Sequence, residues 1–116
     1  MIVRGTTTHH TFLLPEFDGT IQKVYVTYSQ KNTEIITKEY TNSDIISIED
    51  GNQLVVSLSQ TDTLSFSYCG IPSKDAISIQ LRVLTNDEEA YSSNIIIEQV
   101  GKSLKEGVIS GESIQS

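Results

Sequence analysis

Apolar and polar side chains alternate along most of this chain in runs of about six to eight residues. The clearest run spans residues 76–83, where Ile77, Ile79, Leu81 and Val83 are interleaved with Ser78, Gln80 and Arg82. Successive side chains of a strand point to opposite faces, so this spelling gives one oily and one wet face, the signature of an antiparallel sheet covering a core on one side.

The pattern predicts strands at about 8 to 14, 22 to 29, 34 to 40, 44 to 49, 53 to 59, 76 to 84 and 90 to 98. Phe12 and Leu14 share a face of the first, which ends at Pro15, because proline lacks the N–H that a central ladder position needs. Val24, Val26 and Tyr28 share a face of the second, and Ile36 is the expected inward residue of the third. Ile46 and Ile48 share a face of the fourth, and Asp50-Gly51 turns the chain into the alternation of Leu54, Val56 and Leu58. Ser59 followed three residues later by Asp62 predicts a short capped helical turn, after which Leu64 and Phe66 plug the end of the core. Residues 69–74 read as a loop, and Ile95 and Ile97 as the inner face of the last strand.

The short turns between these segments predict an all-β fold, an immunoglobulin-like antiparallel β-sandwich of about seven strands. At 116 residues the chain suits one domain. Ile, Val and Thr are abundant while alanine occurs only at Ala76 and Ala90, which favours pleated structure over helix. The alternation fades after about residue 100, so the sandwich is assigned to residues 1–100. Residues 101–116 become a flexible or partner-ordered tail, with Leu104, Val108 and Ile109 as anchors for an interaction.

A formal net charge of −7 sets the domain against phosphate backbones and anionic membranes as partners. Cys69 is the sole cysteine, so no intrachain disulfide forms, which suits folding in a reducing cytoplasm. The N-terminal residues lack the apolar stretch of a signal peptide, and no run approaches the roughly 20 apolar residues of a membrane helix.

Candidate chemistry is thin. His9 and His10 on one strand point to opposite faces and lack further ligands, so a shared metal is disfavoured, and His10 reads as a half-buried neighbour of Phe12. Cys69 has no adjacent base or positive field and reads as a buried or half-buried structural thiol. Asp87, Glu88 and Glu89 sit in a predicted turn without the ligand spacing of a calcium loop. Tyr25, Tyr40, Tyr68 and Tyr91 fall on different segments, a poor platform for stacking sugars. No enzyme, cofactor or metal is expected.

Residues 1–7, 24–30, 58–64, 79–85 and 101–109, taken in order, resemble small proteins encoded in phages and prophages of Firmicutes. A looser likeness is to the β-sandwich N-terminal domains of upper baseplate proteins. The resemblance implies a virion accessory protein at a head, neck or tail, made in the host cytoplasm. Other virion proteins, or the chain itself as a homo-oligomer, would be its partners. A carbohydrate-binding or host-adhesion module on a virion surface is the alternative.

Overall fold

The computed structural model describes residues 1–17, 19–93 and 95–101. The tail anchors Leu104, Val108 and Ile109 lie outside the described residues. The chain forms β1 (Ile2–Val3), β2 (Thr8–Leu14), β3 (Ile21–Gln30), β4 (Thr33–Thr41), a 3-10 turn (Asn42–Asp44), β5 (Ile46–Ile48) and β6 (Gly51–Leu58). Then come α1 (Gln60–Leu64), α2 (Pro72–Asp75), β7 (Ala76–Thr85), β8 (Ala90–Ser92) and β9 (Ile96–Gly101). Two sheets result: a larger one ordered β1-β9-β7-β3-β4 with β8 also beside β7, and a smaller one ordered β2-β6-β5.

The expected all-β sandwich is therefore present, and the pairing of β2, β6 and β5 opposite β9, β7, β3 and β4 follows the strand order of an immunoglobulin-like domain. Its first strand departs from that order's simplest form. β1 joins the larger sheet, parallel to β9, and leaves β2 at the end of the smaller one.

The core lies where alternation put it. Val24, Val26 and Tyr28 of β3, Leu54, Val56 and Leu58 of β6, and Ile77, Ile79, Leu81 and Val83 of β7 are all buried. Each such side chain contributes about 1.5–3 kcal/mol on leaving water. Ile36 packs against this core as expected, joined by Ile35. Lys31 and Asn32 at φ 54° and 61° form the tight β3–β4 turn, and Asp50 at φ 64° forms the one before β6.

The capped turn after β6 is α1. Ser59 Oγ accepts from the Asp62 N–H at 3.1 Å, and Asp62 Oδ2 accepts from the Ser59 N–H at 2.9 Å. Lys38 of β4 ties this cap to the larger sheet through Asp62, 2.8 Å away. The other end of α1 is finished from far away in sequence: Arg4 Nε donates to the Phe66 carbonyl at 2.7 Å and its Nη2 to that of Leu64 at 3.1 Å. The Gly5 N–H donates to Thr63 Oγ1 at 3.0 Å, and that hydroxyl donates to the Thr6 carbonyl at 2.8 Å. Phe66 and Thr63 are thus the buried residues here, whereas Leu64, expected as a plug, is only half-buried.

Several expectations are corrected. β1 is an additional strand, and two residues are too few to show alternation. The expected loop at 69–74 contains the start of α2, which Pro72 opens in the first turn, where its missing N–H has no helical partner to lose. The expected strand at 90–98 is two strands, interrupted where Ser93 takes over the ladder: its N–H donates to the Leu81 carbonyl at 2.9 Å, and its Oγ accepts from the Leu81 N–H at 3.0 Å. After that break the parity is reversed. Ile96 lies opposite the core residue Ile79, while Ile97 lies opposite the outward Ser78, so Ile95 and Ile97 are 59% and 57% exposed instead of inward. Gly101, expected as the first residue of the tail, instead belongs to β9 and pairs with Val3.

Candidate functional site

The residues singled out for chemistry do not come together. His9 and His10 do point to opposite faces of β2. His9 is exposed and shares a 2.8 Å hydrogen bond with Ser57 Oγ, whereas His10 is half-buried and shares one of 2.8 Å with the Tyr28 hydroxyl. The His10 ring also lies 6.0 Å from that of Phe12, the expected neighbour. Cys69 is exposed, correcting the expectation of a buried or half-buried thiol, and its Sγ–H donates to Asp75 Oδ1 at 3.3 Å. Asp87, Glu88 and Glu89 are exposed in the turn between β7 and β8. Tyr25, Tyr68 and Tyr91 are exposed on different elements. Among the described residues no three His, Cys, Asp or Glu side chains converge as metal ligands.

Two buried polar groups organise the end of the sandwich near α2. Asp75 accepts from the N–H groups of Cys69 and Gly70 at 2.8 and 3.0 Å. Burial pushes the Asp75 pKa up, but these bonds and that of the Cys69 thiol outweigh it and hold the carboxyl below its ordinary value. Gln30, at the end of β3, donates through Nε2 to the Ser67 carbonyl at 2.8 Å and accepts through Oε1 from the Ser67 N–H at 2.8 Å. Both are scaffolding for the chain between α1 and β7.

His10 is a half-buried titratable group whose ionisation depends on the fold. Burial lowers its pKa from 6.5; the carboxylate of Glu98 on β9 opposes this, and the N-terminal ammonium adds to it. The unfolded chain therefore takes up the proton first. Stability due to His10 is full above about pH 6.5, falls as pH drops from there to the folded pKa, and is flat below both. The melting temperature of the wild type should fall more steeply than that of His10→Gln on acidification from neutrality to about pH 5. Parallel curves would contradict this placement of His10.

Among the clefts that border the sandwich, two meet at Phe17. One of about 400 Å³ is walled by Glu16, Phe17, Thr20, Asn42, Ser47 and Asn52 and is mostly polar. The other, of about 310 Å³, is mostly apolar and opens between the sheets beside Leu13, Leu14, Phe17, Leu81, Val83 and Tyr91. Phe17 belongs to both, its ring 4.9 Å from that of Tyr91.

The outstanding surface is the outside of the smaller sheet. β2, β5 and β6 contain no Asp, Glu, Lys or Arg. Register places Leu13, Gln53 and Ile46 in one row of that face and Thr11 and Val55 in the next. Leu13 is 71% and Ile46 52% exposed, and Ile48 and Val55 are exposed as well. Ile46 and Ile48 share a face as the pattern implied, but it is the outer one. Leu13, Ile46, Ile48 and Val55 are thus apolar residues of the alternating segments that lie outside the core. The larger sheet differs, carrying Lys23 paired with Glu39 at 3.1 Å, and also Arg82. No family model, curated protein or solved structure matches the chain.

Proposed function

We propose that this chain is a non-enzymatic structural module of a phage particle, a virion accessory protein that acts at a head, neck or baseplate through protein–protein contact. The observation that carries the reading is the smaller sheet, an outer face with exposed Leu13, Ile46, Ile48 and Val55 and no charged side chain, on a chain of net charge −7. Exposed apolar area rimmed by polar surface marks sites of association. The phage setting draws on the sequence resemblance and on the single cysteine, which suits a protein made in a bacterial cytoplasm and carried out in the particle. Its partners are other virion proteins and copies of itself, with Leu104, Val108 and Ile109 as further anchors. Nucleic acid is disfavoured by charge.

Mass spectrometry of purified particles of the encoding phage or prophage should find the chain at a fixed ratio to a major structural protein. Particles free of it overturn the virion reading. Carbohydrate binding is the second reading, favoured by the polar cleft with Phe17 as an aromatic wall. Saturable binding on a glycan array is its required sign.

A further inference from the structure

Among the described residues, five strands have an open side: β1, β4 and β8 in the larger sheet, β2 and β5 in the smaller. A bare edge offers unpaired N–H and C=O groups to any other strand, and folded proteins guard edges by making them short, charged, bulged or interrupted by proline. Four of the five are guarded in these ways. β1 has 2 residues, and β5 and β8 have 3 each. β4 carries Glu34, Lys38 and Glu39 and has an irregular register against β3.

β2 has none of these protections. It is 7 residues long, uncharged and free of proline until Pro15, and its register against β6 is continuous from Thr8 to Leu14. The strand that covers this edge in the commoner immunoglobulin-like arrangement is the first one, and here that strand pairs with β9.

We infer that β2 is the pairing edge for a second copy of this chain, joined antiparallel about a two-fold axis at Thr11, so that two smaller sheets become one continuous six-stranded sheet. The occupant follows from charge and from self-complementarity. Copies of a −7 protein repel, and the approach with the least repulsion is through the sheet that carries no formal charge. Charges on the outside of the larger sheet lie beyond a second layer about 10 Å away, more than a Debye length at physiological salt. An antiparallel pair about Thr11 sets His9 opposite Leu13 of the other copy, His10 opposite Phe12, and Thr11 opposite itself. No like charges meet, and the β-branched Thr11 pair suits a cross-strand site. The interface is isologous and closes after two copies. Leu13 and Val55 of both copies then form one outer apolar face, available to further virion partners. This deepens the assembly reading by naming its first contact, but the pairing is testable without particles.

The test is sedimentation equilibrium of the full chain from about 10 μM to about 1 mM, for wild type, Thr11→Lys and Thr11→Glu. Thr11 is exposed, so both variants should keep the wild-type circular dichroism. The wild type should sediment as a dimer and each variant as a monomer, because a two-fold axis sets the new charge beside its own copy. Mixing the two variants should restore the dimer. A monomeric wild type overturns the inference, including one whose β2 amides are protected from hydrogen exchange by another segment of the same chain. So does a dimer that survives Thr11→Lys, or a mixture that stays monomeric. A dimer absent from particles would leave the pairing intact and overturn only the virion reading.

Discussion

Replacing Phe66 by alanine is expected to cost about 3–5 kcal/mol, a large part of the stability of an ordinary domain, and to lower the melting temperature by more than ~10 °C. Phe66 is fully buried at the closed end of the core, its ring 6.0 Å from that of Tyr28. Its backbone carbonyl is held by Arg4, so the turn after α1 cannot easily collapse into the space the ring leaves. Phe66→Leu keeps much of the volume and should lose far less. Urea unfolding of the two variants measures the difference, and a loss below about 1 kcal/mol for Phe66→Ala would place this residue outside the core.

The second large effect is expected at Gln30. Methionine matches its length and removes only its polar atoms, yet Gln30→Met should cost about 2–3 kcal/mol. The side chain is buried and satisfies both the N–H and the carbonyl of Ser67, which no ladder serves. Removing both partners leaves two backbone groups poorly solvated. Hydrogen exchange should show residues 67–71 opening first, while β3 and β7 keep their protection. Uniform loss across the domain would mean that Gln30 only fills space.

These two sites also mark what was legible in the sequence. The strands that hold the core were readable because β7, residues 24–30 of β3 and residues 54–58 of β6 alternate without interruption. The cap of α1 was readable for a local reason, since Ser59 and Asp62 satisfy each other within one turn. Gln30 was not, because its partner Ser67 lies across the fold. Nor was the direction of the last strand: Ile95, Ile96 and Ile97 are three apolar residues in a row and carry no parity of their own, and the break at Ser93 decides which faces in. Alternation likewise said that Ile46 and Ile48 share a face, not which face.

The charge-free stretches were visible in the sequence as three separate segments. Only pairing shows that they form one sheet, and the placement of β1 on the other sheet leaves β2 without an outer partner among the described residues.

The functional reading turns on contact being made through the charge-free sheet at the edge of β2. Residues directly opposite in an antiparallel pair have Cα atoms about 4.5–5.5 Å apart, within the range a disulfide spans. In a Cys69→Ser background, the Thr11→Cys variant should form an interchain disulfide under mild oxidation. Ser57→Cys, exposed on the same face but on the inner strand β6, should not. Equal crosslinking at both positions, or none at Thr11, would contradict the account.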